Sequence, residues 1–334
     1  MKGEVVEYQL GLTNEFFIPT CRITASFHIG RSELGMETRT LQLGARKSLQ
    51  IQYDVRCPYR GVYTVGLSQL IVWDIFGWAA FTFPVFNRTF YVYPRIIQLQ
   101  RAFLGYGSVK TAAQSPKWGT EADWTLYREL RPYQHDDDIR HVSWQKMALF
   151  GEPLVREYDT SAQQAVIICL DMRQVPALME DAALDIEDSS IEITVSLLKY
   201  YLDHQVPAVL TADGRTMYFS PGDEAGFTQF LKSTIMLFFH SSVSPVRYYE
   251  MLRREARLSS GSVIFVTHLL DAEILELVQN SDGRYLHAAA VVLTQGLSRE
   301  EQRRMQVLQH ALTGHPGTLI TANSAEDVRR DLGT

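Results

Sequence analysis

Between residues 5 and 93 apolar positions recur at every second residue. Cys21, Ile23, Ala25, Phe27 and Ile29 alternate with Arg22, Thr24, Ser26 and His28. Leu49, Ile51, Tyr53, Val55 and Cys57 alternate in the same way with Gln50, Gln52, Asp54 and Arg56. A side chain changes face at each step along a strand, so this pattern predicts strands with one face in a core and one in water. Residues 5–10, 63–67, 70–73, 81–85 and 89–93 are further strand candidates. Turn residues at Asn14, Gly35, Gly44, Pro58-Tyr59-Arg60-Gly61 and Gly77 separate them. Short strands with frequent turns predict a β-sandwich.

The period changes near residue 100. Gly105, Gly107, Ser108, Ser115, Pro116 and Gly119 mark a linker, followed over 121–158 by a polar stretch with scattered aromatics. From 165 strands and helices alternate. Residues 165–170 (AVIICL) form a continuous apolar run ending at Asp171, the pattern of a central parallel strand buried on both faces. Ile191, Val195, Leu198 and Leu202 follow at helical spacing. Strands are then predicted over 208–211, 262–267, 288–293 and 318–321, and helices over 227–239, 248–258, 272–278 and 325–332. A further helix opens at Ser298-Arg299-Glu300-Glu301, a capping box. Repeated strand–helix units imply a doubly wound, parallel α/β sheet covered by helices on both faces.

Composition narrows this reading. A chain of 334 residues, 46% hydrophobic, can bury two ordinary cores. A charged fraction of 21% and a net charge of −6 leave no basic stripe of the kind that binds nucleic acid, so no nucleic-acid partner is expected. Three cysteines do not make a disulfide framework. Cys169 reads as a small core residue. Cys21 and Cys57 could face each other across a sandwich, although free buried thiols are the commoner case in a reducing compartment. No signal peptide opens the chain. The most apolar window, 75–86, is too short to span a bilayer, carries Gly77 and Pro84, and reads as aromatic strands. The chain as given reads as soluble. Its abrupt start reads as the soluble part of a longer, anchored protein.

In doubly wound sheets ligands bind at the carboxyl ends of the strands. Candidate positions are therefore Asp171-Met172-Arg173, Thr211-Ala212-Asp213-Gly214 and Thr267-His268. No phosphate-cradling glycine loop follows the first strand, which argues against a nucleotide cofactor. A strand ending in Asp is a start for a divalent-cation site. Here, however, Arg173 and Val175 stand where further hydroxyl ligands would be needed, and a guanidinium repels a cation. An Asp171–Arg173 contact or a solvated loop is expected, with no metal and no cofactor. His135-Asp136-Asp137-Asp138, with His141 nearby, admits a metal or acid–base reading. A solvated acidic turn paired with Arg131 or Arg140 is the plainer one. No nucleophile elbow, paired-Cys or His-Glu-x-x-His signature occurs, so no enzyme activity is expected.

Residues 118–171 carry the most specific pattern: WGTEADWTLYRELRPYQHDDDIRHVSWQKMALFGEPLVREYDTSAQQAVIICLD. It closely resembles the bacterial family called domain of unknown function 58, through Gly119, Glu121, Arg131, Tyr133, Asp137, Arg140, Trp144, Leu154, Val155, Arg156, Glu157 and Asp171. Arg60-Gly61-Val62-Tyr63, Asp74-Ile75-Phe76-Gly77 and Val92-Tyr93-Pro94-Arg95 look like the family's sandwich signatures. A glycine of the family pattern is Asp136 here. The resemblance implies an immunoglobulin-like β-sandwich over 1–95, a linker with the charged and aromatic motif over 96–164, and a von Willebrand factor type A-like α/β domain over 165–334. Of the metal-dependent adhesion site such domains often carry, only Asp171 remains, leaving a degenerate rim of Asp171, Arg173, Thr267 and His268. The resemblance further implies an N-terminal transmembrane hairpin upstream, with these domains on the cytoplasmic side. It also implies association with MoxR-type AAA+ ATPases in assembling or maturing other proteins, some in the cell envelope.

Read physically, Glu121, Arg131, Asp137, Arg140, Arg156 and Glu157 can form a charged network, with Tyr133 and Trp144 adding flat, half-polar surfaces. Such a network can clamp the linker or form a partner face, since binding hot spots favour Trp, Tyr and Arg. The clamp is preferred because exposed ion pairs alone contribute little affinity. The expected function is a non-catalytic scaffold or adaptor. The rivals are a metal-assisted hydrolase built on the acidic cluster at 136–138 and a metal-dependent adhesion module.

Overall fold

The computed structural model describes residues 1–30, 36–83, 85–100, 127–132, 154–158, 165–175, 180–255, 261–269, 271–281, 286–295, 297, 299–312 and 318–333. Two compact units are found. The first comprises Met1–Ile97, Gln174–Ser196 and Ala225–His240; the second comprises Gln98–Arg173, Leu197–Glu224 and Ser241–Thr334.

Among the described residues the first unit holds seven strands: β1 (Val5–Thr13), β2 (Arg22–Gly30), β3 (Met36–Leu41), β4 (Ser48–Arg56), β5 (Gly61–Trp73), β6 (Ala80–Phe83) and β7 (Asn87–Val92). β1 and β4 pair antiparallel with Tyr8 opposite Tyr53. A second, antiparallel sheet runs β3-β2-β5-β6, with β7 also on β5. The alternation seen in the sequence becomes the core. Ala25, Phe27, Ile51, Tyr53 and Leu67 pack together, and Val55, Cys57, Tyr63, Val65 and Val92 form a neighbouring cluster. The Phe27 and Tyr53 rings lie 4.9 Å apart.

Two strands expected over 63–67 and 70–73 are one strand, β5. The pairing register slips between Ser26 and Phe27, so that Ser68 bulges, and its hydroxyl donates to the Ser26 carbonyl at 2.9 Å. One extra residue inverts the in–out phase, which is why the apolar pattern appears to break there. β3 was not anticipated from the pattern.

The three cysteines are free thiols, so Cys21 and Cys57 do not pair. Burial pushes the Cys57 thiol pKa up and the Cys169 thiol far up. A thiolate-directed dye is therefore expected to label Cys21 in the native protein and to reach Cys57 and Cys169 only in denaturant. Rapid native labelling at Cys169, read by peptide mass, would contradict this burial.

A buried charge cluster lies within the first unit. Arg60, in the turn between β4 and β5, is 2% exposed. Its backbone N–H and guanidinium both donate to Asp188, Nε donates to the Thr234 carbonyl at 2.9 Å, and Nη2 donates to the Leu237 carbonyl at 2.6 Å. Lys2 lies 3.6 Å from Asp188 and 3.4 Å from Glu192, and Glu192 also meets Arg95 at 3.3 Å. Asp188 and Glu192 belong to α1 (Glu180–Asp203). Instead of one apolar stripe, every residue of this helix from Asp188 through Leu198 is buried. Its interior hydroxyls bond back along the helix, Ser190 to the Ile186 carbonyl, Thr194 to Ser190 and Ser196 to Glu192, at 2.9, 2.8 and 2.6 Å. These bonds satisfy polar groups that burial would otherwise strand.

The second unit is built on a six-stranded sheet of β10 (Val166–Leu170), β11 (Ala208–Ala212), β12 (Arg215–Phe219), β13 (Gly261–Thr267), β14 (Leu286–Leu293) and β15 (Thr318–Ala322). The spatial order is β12-β11-β10-β13-β14-β15. All pairings are parallel except β11–β12. Counted within this sheet the order is 3-2-1-4-5-6, a doubly wound arrangement with an antiparallel edge strand. β12 is a correction to the sequence reading. Asp213 and Gly214, candidate positions at the carboxyl end of β11, have positive φ, 47° and 74°, and form the two-residue turn of a hairpin that leads into β12.

The remaining α-helices among the described residues are α2 (Glu224–Ser233), α3 (Pro245–Glu255), α4 (Ala272–Gln279), α5 (Arg299–Ala311) and α6 (Ala325–Gly333). α3 packs on β10 and β11, α4 on β14, and α5 and α6 on β15. One sheet face contributes Ile167, Cys169, Val263, Phe265 and Ala290 to a core with Tyr249, Ile274 and Met305. The opposite-facing Ile168, Ile264 and Val291 are equally buried, as expected for central parallel strands. The helix expected over 227–239 ends at Ser233 and continues as a 3-10 turn over Thr234–Met236. The capping-box Ser298 lies outside the described residues. Among the described residues no helix is long and apolar enough to cross a membrane.

A candidate functional site at the carboxyl end of the parallel sheet

β10 and β13 run in register, Leu170 opposite Val266, and the ladder closes with Asp171 N–H donating to the Val266 carbonyl at 2.9 Å. Two parallel strands therefore deliver Asp171 and Thr267 to the same edge of the sheet. Asp171 is fully buried. The Thr267 hydroxyl donates to its Oδ2 at 2.6 Å, and the backbone N–H of Arg173 donates to its Oδ1 at 3.1 Å.

The Arg173 side chain folds back over this carboxylate. Nε donates to Oδ1 at 2.9 Å and Nη2 to Oδ2 at 2.6 Å, a two-pronged pairing. Nη1 reaches the other way and donates to Asp271 Oδ2 at 3.0 Å. Asp271 is the N-cap of α4, its Oδ1 accepting from Glu273 N–H at 3.0 Å, and its Oδ2 also accepts from the Ser244 hydroxyl at 3.0 Å. Backbone pairing of Arg173 with Ser241, and of Ser241 N–H with the Met172 carbonyl at 2.9 Å, fixes the loop that carries the guanidinium. Burial works to lower the Arg173 pKa, but its hydrogen bonds and charge pairing with Asp171 and Asp271 outweigh that and raise it. The group is a permanent cation.

The contact expected between Asp171 and Arg173 is thus present, and Thr267 joins it. His268 is buried beside Thr267. Asp271 and Ser244 were missed by the sequence reading. Both carry a helix-start signal, Asp271 as an N-cap and Ser244 just before Pro245, but nothing in that signal announces a second use of the side chain.

These residues do not fit a divalent cation. Two carboxylates and two hydroxyls converge, but the space between the carboxylates is taken by a guanidinium that a cation would have to expel against charge repulsion. Among the described residues no cluster of three or more His, Cys, Asp or Glu side chains could hold a metal.

Along the same edge lies a cleft of about 420 Å³, lined by Thr294, Gln302, Met305, Thr321, Asn323 and Asp327 among others. The α6 N-terminus beside it is already capped, Asp327 Oδ2 accepting from Asn323 N–H and Ser324 N–H at 3.0 and 3.1 Å. Its own carboxylate supplies the anion such an end attracts.

Of the charged and aromatic motif, Arg131 lies in β8 (Tyr127–Pro132), and Arg156 and Glu157 lie in β9 (Leu154–Tyr158). The two strands pair antiparallel, with Arg131 opposite Val155, Leu130 opposite Arg156 and Glu129 opposite Glu157. The backbone thus brings these three motif positions into one two-stranded ladder within a stretch expected to be linker. Glu121, Tyr133, Asp137, Arg140 and Trp144 lie outside the described residues, as do His135, Asp136, Asp138 and His141 of the acidic cluster.

No curated protein matches the chain. Among solved structures it is similar to the pilus adhesin RrgA of Streptococcus pneumoniae, at 11% identity and a TM-score of 0.21, covering 83% of this chain and 46% of that one. It is also similar to a cycloisomaltooligosaccharide glucanotransferase of Paenibacillus sp. in complex with cycloisomaltoheptaose, at 9% identity and a TM-score of 0.19, covering 96% of this chain and 51% of that one. The chain spans about half the length of these solved proteins, and at such scores neither likeness carries fold or function across. Residues 129–292, from β8 through most of β14, match the family model described as "Protein of unknown function DUF58", and this match supports the DUF58 family.

Proposed function

We propose that the chain is a non-catalytic scaffold or adaptor whose α/β unit, of von Willebrand factor type A-like design, binds a protein partner. The partner class is a MoxR-type AAA+ ATPase, and the setting is the assembly or maturation of other proteins, including those of the cell envelope. An upstream membrane anchor, with these units on the cytoplasmic side, belongs to the same proposal. The observation that carries it is the Arg173 guanidinium set between Asp171 and Asp271 at the ligand-binding end of the sheet. A rim whose cation is a side chain offers hydrogen bonds and charge to a protein without a metal, and holds no centre that would activate water. The 3-2-1-4-5-6 order with one antiparallel edge strand supports the von Willebrand factor type A-like reading.

Pull-down of the cognate ATPase, in nucleotide-free, ADP and ATP-analogue conditions, tests the partner. Retention by the native chain is expected, weakened about tenfold or more by Arg140→Ala or Trp144→Ala if the motif is a hot-spot face. Retention unchanged by both substitutions would assign the motif to clamping, and no retention under any nucleotide would remove the ATPase as partner. Stoichiometric metal in the purified protein would favour the hydrolase reading instead.

A further inference from the structure

One end of the sandwich is aromatic and exposed. The register places three loops there: β2 starts at Arg22 opposite Trp73 at the end of β5, β3 ends at Leu41 opposite Ile23, and β4 starts at Ser48 opposite Thr13 at the end of β1. The loops 14–21, 42–47 and 74–79 therefore share this end. Two of them display large apolar side chains to solvent: Phe16 (72% exposed), Phe17 (75%) and Ile18 in the first, and Ile75, Phe76 (69%) and Trp78 (86%) in the last.

These side chains are held out by backbone chemistry. Asn14 is buried; its Nδ2 donates to the Ile18 and Gly44 carbonyls at 2.9 and 3.1 Å, and its Oδ1 accepts from Phe16 N–H at 3.1 Å. Arg46 N–H ties the neighbouring loop to the Phe16 carbonyl at 3.0 Å. In the last loop Asp74 Oδ1 accepts from Trp78 N–H at 2.7 Å and Ala79 N–H at 3.1 Å. Gly77 takes φ +73°, so the chain reverses between Phe76 and Trp78, whose rings lie 5.4 Å apart. Both loops are built turns whose apolar residues contribute little to the core.

Charge marks the surface further. Arg22, Arg46 and Lys47 are exposed at this end, against Glu15 and Asp74, and Asp74 is engaged by its own turn. Three cations against two carboxylates leave this end with an excess of one positive charge, in a chain of net charge −6. Exposed aromatic residues on two separate turns, flanked by Arg and Lys, suit a fluid surface. A protein hot spot needs a complementary pocket around each anchor, whereas the bilayer interface accepts Trp and Phe without one and attracts basic residues when its lipids are anionic. We infer that this end of the sandwich is a peripheral membrane-contact site, inserting Phe16, Phe17, Phe76 and Trp78 into the headgroup region of an anionic bilayer.

The test is co-sedimentation of the whole chain with phosphatidylcholine vesicles, with and without phosphatidylglycerol, beside sedimentation velocity without lipid. Binding to the phosphatidylglycerol vesicles is expected, weaker in high salt, and reduced about tenfold by Phe76→Ser/Trp78→Ser, by Phe16→Ser/Phe17→Ser and by Arg46→Glu/Lys47→Glu. All these residues are exposed, so unchanged melting temperatures exclude loss of fold as the cause. A chain that stays in the supernatant at millimolar lipid overturns the site. A monomer–dimer equilibrium abolished by the same substitutions, without vesicle binding, makes a second copy the occupant and also overturns it. So does a Trp78 shielded from acrylamide quenching in the absence of lipid.

Discussion

Arg60→Ala is expected to destabilise the first unit by about 3–5 kcal/mol, the range seen when one partner of a buried charge pair is removed. The guanidinium is 2% exposed and Asp188 is 1% exposed, so water does not replace the lost partner. The substitution also strips donors from the Thr234 and Leu237 carbonyls. Lys2, 3.6 Å from Asp188, compensates only part of the carboxylate's charge. Urea unfolding followed by a probe in the sandwich measures the loss. Arg60→Lys is expected to recover little, because one ammonium cannot reach Asp188 and two carbonyls in the geometry of the guanidinium fork. A double-mutant cycle with Asp188→Ala should return a coupling above about 1 kcal/mol. A destabilisation below about 1 kcal/mol for Arg60→Ala would mean that the cluster is not the fastening described.

Arg173→Ser is expected to create divalent-cation binding where the native guanidinium occupies the space between the carboxylates. Removing the guanidinium leaves the carboxylates of Asp171 and Asp271 with the hydroxyls of Thr267 and Ser244 around the vacated volume, and the new serine adds a further oxygen. Hard cations take such donors. Without metal the variant should lose about 3–5 kcal/mol, since the fully buried Asp171 is left unpaired. Mg²⁺ or Mn²⁺ should then restore stability by about 1.4 kcal/mol for each tenfold rise in concentration above Kd. The native chain should melt identically with and without divalent ions, and Asp171→Asn in the variant should abolish the restoration. A variant whose melting ignores divalent ions up to tens of millimolar would show that the oxygens do not converge on one cation.

What the sequence revealed tracks how local each signal is. The alternation over β2 and β4 and the apolar run of β10 identified their strands because burial pattern is a property of the segment itself. β12 was missed although Asp-Gly flanked by strand residues is a strong hairpin signal, because a parallel sheet was already expected there. β5 read as two strands because a bulge at Ser68 inverts the period; Gly66, two residues before it and at φ +132°, was the local signal that could have marked it. The Arg173–Asp171 contact was legible at a separation of two residues. The Asp271 contact is 98 residues away and the Asp188 partner of Arg60 is 128 residues away, so only the fold reveals them. Both partners are ordinary in the linear chain, one a helix cap and the other one acid among several on α1. Most of the charged motif from 119 to 157, the most specific pattern in the sequence, lies outside the described residues.

A cation that is part of the polypeptide cannot be chelated, exchanged or diluted. Whatever engages the Asp171–Arg173–Asp271 rim meets the same charge at every concentration of calcium or magnesium, so fluctuations in those ions carry no message through it. The timing of any engagement there has to come from something other than those ions, such as the abundance or position of the other participant.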